Sequence, residues 1–220
     1  MRRVRLLFSK TGRAKYLSHL DLMRTFQRVF MRAGAGLRHT EGFNPHPYMN
    51  FALPLSVGAE SVCELLDFDL LDDIDLSILP ALLNKTMPEG IEAVKAYQPE
   101  NKFADIAWLL VEGRLDYDGG AQERTAEELM GLFGKKELII SKKSKKGYAD
   151  TDIAPLIFSV RVEKKSNEAL TMNAVIAAQN PSLNPDNLMT AIKTHLPLYA
   201  PDFAAFKRIE VYDGSHNIYR

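Results

Sequence analysis

The stretch RRVRLLFSKTGRAKYLSHLDLMRTFQRVFMRAG, residues 2–34, decides how the rest of the chain is read. Its first nine residues place Val4, Leu6 and Phe8 on one face, the period of a strand. A turn follows at Thr11 and Gly12. Ser18 is a good helix N-cap and Asp21 stands three residues on, an arrangement like a capping box. Leu22, Phe26, Val29 and Ala33, with Met23 and Phe30, then form an apolar stripe of helical period, and Gly34 and Gly36 end it. The chain therefore opens strand, then helix.

Outward from there, LRHT (37–40) reads as a short strand, and NFALPLSV (50–57) and VCELLDFDLL (62–71) as two strands joined around Gly58. DIDLSILPALLNKTMP (73–88) reads as a helix around Pro80, and GIEAVKAYQ (90–98) as a returning strand. The order recurs after a polar linker, QPENKFAD (98–105). DIAWLLVEGRL (105–115) is a strand, AQERTAEELMGLFG (121–134) a helix and KELIISKKSKK (136–146) a strand with a basic end. PLIFSVRVEKK (155–165) and ALTMNAVIAA (169–178) form a hairpin. NPDNLMTAIKTHL (184–196) is a helix capped by Asn184 with Pro185 at its first position, and FKRIEVYD (206–213) is the last strand. The expected class is α+β, as tandem ferredoxin-like βαββαβ units over residues 1–100 and 101–220.

Composition bounds the function. Hydrophobic residues at 46% and charged residues at 25% are ordinary for a folded soluble protein. One cysteine, Cys63, rules out an internal disulfide, a cysteine-rich zinc site and a self-contained iron–sulfur cluster. The N-terminus MRRVRLLFSK lacks the long apolar region of a signal peptide, and no segment approaches the roughly 18 apolar residues of a membrane span. A cytoplasmic protein is expected.

The zero net charge hides an asymmetry. Residues 1–50 carry ten Lys/Arg against Asp21 and Glu41, whereas residues 51–100 carry two lysines against ten acids. Either the two segments face each other or each is solvated.

Within the basic segment, Arg24, Arg28 and Arg32 recur every fourth residue, so they stack on one helix face. Such a row can engage successive phosphates, each through a planar fork. Then comes HTEGFNPHPYMNFALPLSVG (39–58). Asn44 precedes Pro45 and His46 precedes Pro47, which pushes both toward extended backbone and stiffens the loop. Phe43 and Tyr48 are placed to stack on bases, and His39 and His46 to meet phosphate or to move protons near neutral pH. Lys142, Lys143, Lys145 and Lys146 form a basic hairpin tip in the second half, with Gly147 and Tyr148 following, and Asp152 a cap of the turn after it.

Other chemistry has weak support. His19, Asp21, His39, His46 and Cys63 match no metal-ligand spacing, so no metal or other cofactor is expected. There is no phosphate-binding GxxxxGK[ST], no GxGxxG and no GxSxG around Ser18.

The residues LSHLDLMRTFQRVFMRAG, EGFNPHP and LPLSVGAESVCELLDFDL resemble the bacterial radical-SAM-linked domain of unknown function. The resemblance covers nearly the whole chain. It is densest over residues 16–70 and resumes at KKSKKGYADTDIAPLI, where the family carries a basic residue at the place of Ala154. It implies a soluble bacterial accessory protein that occurs alone or behind a radical SAM protein, and not radical SAM chemistry in this chain, which has no three-cysteine motif. The family is similar in element order to the tandem ferredoxin-like RNA-processing proteins of CRISPR systems.

Three readings follow. The first is an RNA-binding or RNA-processing accessory with a basic groove. Arg24, Arg28, Arg32, Arg38, Phe43, Asn44, His46, Tyr48 and the four lysines would line it, the acidic segment would lie away from it or dock a partner, and His19 or His46 would be acid/base candidates. The second is a non-enzymatic module that docks a radical SAM enzyme or its substrate. The third is a small-molecule enzyme with a pocket uniting the His, Asp and Cys residues.

Overall fold

The computed structural model describes residues 1–144 and 147–220. These form an α+β structure with four α-helices among the described residues and two compact units, Met1–Asp105 together with Arg220, and Ile106–Tyr219.

Unit 1 runs β1 (Arg2–Lys10), α1 (His19–Ala33), β2 (Met49–Phe51), β3 (Glu60–Leu70), α2 (Leu79–Asn84) and β4 (Ile91–Tyr97). Its strands lie in the order β4-β1-β3-β2, each antiparallel to its neighbour. Val4, Leu6 and Phe8 are fully buried with Leu66, Phe68 and Leu70 of β3 and Leu22, Phe26, Val29 and Phe30 of α1. Phe8 meets Phe26 edge-on at 4.8 Å, and Phe30 lies 4.7 Å from Phe68. Such pairs add about 0.5–1.5 kcal/mol each beyond the area they bury.

The helix ends are closed locally. Ser18 Oγ accepts from the Asp21 N–H at 3.2 Å and donates to Asp21 Oδ2 at 2.7 Å. That cap is worth about 1 kcal/mol. Gly34 ends α1 at φ 68°, a left-handed conformation open to glycine.

Two expected elements are shorter. The strand around NFALPLSV is only Met49–Phe51, because Pro54 has no N–H for a ladder. The second helix covers only Leu79–Asn84. The Asn84 side chain bonds both the N–H and the carbonyl of Ala93, at 2.8 and 2.9 Å, and so turns the chain into β4. The LRHT segment forms bridges, Leu37 with Leu70 and His39 with Pro47, and no continuous strand.

Unit 2 runs β5 (Ile106–Asp116), α3 (Thr125–Phe133), β6 (Ile139–Ser144), β7 (Gly147–Asp152), β8 (Ile157–Lys164), β9 (Ala169–Ala177), α4 (Pro185–His195) and β10 (Phe203–Asp213). Its sheet order is β10-β5-β9-β8, again antiparallel throughout. Counted without β6 and β7, element order and strand order repeat those of unit 1. β6 and β7 form a separate hairpin where the sequence places a basic hairpin tip, although GYADTD is assigned no strand of its own from the sequence. Asp152 closes its base by accepting from the N–H groups of Leu138 and Ala154, at 2.8 and 3.0 Å.

Candidate nucleic-acid interface

All the candidates up to Tyr48 lie in unit 1. Arg24, Arg28 and Arg32 point outward from α1, opposite its buried stripe. Successive members rise about 6 Å along the helix. Arg24 pairs with Asp21 at 3.6 Å, where both side chains are more than half exposed, so the pair holds Arg24 weakly. Arg28 and Arg32 make no ion pair among the described residues.

The loop is a flap folded on itself. The His39–Pro47 bridge closes it, with the Thr40 N–H on the His46 carbonyl at 2.8 Å and the Tyr48 N–H on the Arg38 carbonyl at 2.7 Å. Inside, the His46 N–H donates to Thr40 Oγ1, and His46 Nδ1 lies 3.2 Å from the Asn44 carbonyl and 3.1 Å from Thr40 Oγ1. Nδ1 is thus engaged inside the flap, as donor to the Asn44 carbonyl or as acceptor from the Thr40 hydroxyl according to the tautomer. Gly42 adopts φ 123°, open to glycine alone, and delivers Phe43 to the tip, where its ring is fully exposed.

The flap is anchored by residues that sequence reasoning did not single out. Asp69 of β3, its side chain only 6% exposed, pairs with Arg3 Nε at 3.3 Å and Arg38 Nη1 at 3.4 Å, one on each oxygen. The same two guanidinium carbons lie 5.9 and 5.7 Å from the centre of the Tyr48 ring, within cation–π range. One strand step away, Arg5 is fully buried. It holds Asp67 through two parallel bonds of 2.7 and 2.9 Å and covers Phe103 at 4.4 Å. The signal was a period of two: Arg-x-Arg in β1 registers against Asp-x-Asp in β3. Part of the acidic segment thus neutralises part of the basic one, and Arg38 is held by Asp69.

The catalytic candidates sit apart in their contacts. His19 packs edge-on against Phe51 at 5.3 Å, at the rim of the aromatic core. Cys63 is buried next to Ser61, at 3.7 Å. Among the described residues His46 bonds only within the flap. Among the described residues no group of three or more His, Cys, Asp or Glu could hold a metal.

Lys142 belongs to unit 2, half-buried on β6 opposite Ala149. The Lys143 backbone pairs with Tyr148. Lys145 and Lys146 lie outside the described residues. No described helix is long and apolar enough to cross a membrane.

Residues 3–185 match the model of the DUF2344 family, described as an uncharacterized protein conserved in bacteria. The chain belongs to the DUF2344 family. The matched region of this DUF2344 chain contains every candidate named above. No curated protein matches it. Among solved structures it is similar to a chain in the crystal structure of a Cbf5-Nop10-Gar1 complex, with a TM-score of 0.56 at 8% identity, over 94% of this chain. It spans 48% of that chain, about half its length, and the likeness is one of fold alone. An unknown protein from Galdieria sulphuraria aligns over 94% of this chain and 98% of its own at 10% identity, but its TM-score of 0.28 is too low to indicate a common fold.

Proposed function

We propose that this DUF2344 protein is an RNA-binding accessory built from two ferredoxin-like βαββαβ units. The repeated antiparallel strand order supports the architecture. The observation that carries the function is Arg28 and Arg32, outward on α1 and free of ion pairs among the described residues, in the unit that also holds a stiff flap tipped by Phe43. Cationic forks for phosphates and a bare ring for a base are what a single strand recognises. In a processing reaction, His46 Nε2 would be the acid or base, since Nδ1 is engaged by Asn44 and Thr40 inside the flap.

The test is a titration with total cellular RNA at low and raised salt, on the protein and on the triple change Arg24→Ala, Arg28→Ala, Arg32→Ala. Phosphate binding predicts affinity that falls steeply with salt. The triple change should flatten the log–log slope by about 2, at about 0.7 per lost phosphate contact on a single strand. Binding indifferent to salt and to these arginines overturns the reading.

A second reading has its own observation. Tyr16, Leu20 and Val57 are exposed around the start of α1, where the Gly58 N–H bonds the Lys15 carbonyl. That apolar patch suits docking onto a radical SAM enzyme, which a pull-down against such partners tests. A small-molecule enzyme has less support: a cleft of about 410 Å³ is lined by Arg114, Asp116, Tyr117, Asp118, Ser166, Glu168 and Ala169, and by none of His19, His46 or Cys63.

A further inference from the structure

Unit 2 gathers three aromatic rings from three distant segments on one face of its sheet. In β5, Leu109, Val111 and Leu115 are buried. Side chains alternate along a strand, so Trp108, Leu110, Glu112 and Arg114 stand on the opposite face. Register extends that face across β9 and β8, from Leu110 to Val175 and Ser159, and from Glu112 to Asn173 and Arg161. Glu112, Arg114, Ser159 and Arg161 are exposed on this part of it. At its end the His216 ring stacks on Trp108 at 5.3 Å with 19° between planes, and Phe158 lies 3.9 Å from His216 and 5.7 Å from Trp108.

Two backbone irregularities build this cluster. Ile157 pairs with Ile176 and Ser159 with Val175, so Phe158 is the extra residue of a bulge, a device that re-aims a side chain. His216 sits at φ 63°, a left-handed conformation unfavourable for a residue with a Cβ. The Asp213 carboxylate holds that turn by accepting from the Ser215 and Asn217 N–H groups at 2.8 and 2.9 Å. His216 Nε2 is buried without a hydrogen-bond partner among the described residues. Strain and an unsatisfied nitrogen are both unfavourable to folding, and the Phe158 ring they support remains 58% exposed. A hydrophobic plug would bury that ring.

We infer that this face stacks the unpaired bases of single-stranded RNA on Phe158, His216 and Trp108, with Arg161 meeting the backbone phosphate. Four-stranded antiparallel sheets with aromatics on their open face bind RNA in this way. Arg161 makes no ion pair among the described residues and supplies the complementary charge. Glu112, Glu163 and Glu210 share its strands and neighbours, so affinity rests on stacking more than on charge. The inference rests on the RNA reading but concerns a separate surface in unit 2.

Trp108 is the sole tryptophan of the chain, so its fluorescence reports this surface alone. The full chain is titrated with a 12-nucleotide oligouridylate, an abasic ribose-phosphate oligomer of the same length and a duplex RNA. Labelled-oligomer polarisation follows binding at any surface. Saturable quenching by oligouridylate, absent with the abasic and duplex probes, is expected. Phe158→Ala should weaken it by about 5- to 150-fold, the range for loss of one stacked base, and Phe158→Tyr should restore it. Circular dichroism checks that each variant is folded, as an exposed ring allows. Polarisation without quenching, or quenching equal with all three probes, overturns this inference and leaves the RNA reading standing. Absence of a polarisation change with any RNA overturns both.

Discussion

The two units carry their additions at the same place and hold them by different forces. In unit 1 the link from α1 to β2 holds the flap of residues 38–48. In unit 2 the link from α3 to β8 holds the β6–β7 hairpin. The flap is fastened by charge: Asp69 bridges Arg3 and Arg38 under Tyr48. The hairpin is fastened by apolar burial: Leu138, Ile140 and Ile153 are almost fully inaccessible. His195 Nε2 adds a bond to the Ile139 carbonyl at 2.7 Å. Burial is non-directional and survives salt, whereas half-exposed ion pairs are weak and screened. The same topological slot therefore yields a firmly packed element in one unit and a polar, salt-sensitive one in the other.

The largest break should come beneath the flap. Asp67→Ala leaves Arg5 buried without its bidentate partner, and loss of about 3–5 kcal/mol is expected in chemical unfolding. A loss below 1 kcal/mol would show that Arg5 is not held by Asp67. Next comes the hairpin's own anchor. Ile140→Ala removes a side chain that is 1% exposed and should cost about 2–5 kcal/mol, with faster amide exchange over β6 and β7. Unchanged exchange there would end the contrast between the units.

Asp69→Ala should cost only about 1 kcal/mol, since Arg3 and Arg38 are about half exposed and can be hydrated. Its signature is local. Exchange at the Thr40 and Tyr48 amides should accelerate, and raised salt should mimic the change in the unaltered protein.

The last effect separates the units by pH and is confined to the alkaline range. Burial, and then the charge of Asp202, push the Tyr117 phenol of unit 2 up to about 12. The unfolded chain ionises this group near pH 10 and the folded chain does not. Its contribution is thus present below pH 10 and lost as pH rises toward 12. Stability of the unaltered protein should fall across that window, and Tyr117→Phe should make the fall shallower. An identical pH profile in the variant would remove Tyr117 as the cause.

Legibility followed the range of the interactions. α1 could be read to its ends, because Ser18, Asp21 and Gly34 act within a turn of the backbone they cap. The core face of β1 was legible for the same reason, since Val4, Leu6 and Phe8 are two residues apart. β7 was not legible. The lysines before GYADTD read as a hairpin tip, but GYADTD is exposed or half-exposed throughout, and only pairing with β6 makes it a strand. The candidate site divides in the same way. Arg24, Arg28 and Arg32 could be placed on one face from helical period alone. Arg38 could be named, but its carboxylate partner could not.

What the sequence by itself determined is the order of elements, the buried stripe of α1 and the outward row of arginines opposite it. Each follows from 3.6- or two-residue periodicity and from caps that act at short range. Only the tertiary structure decided which charges neutralise one another and which rings meet. Asp69 and Arg3 are 66 residues apart, and Trp108, Phe158 and His216 span more than a hundred. Strand register, one bulge and one left-handed residue bring them together, and none of these leaves a local pattern in the chain.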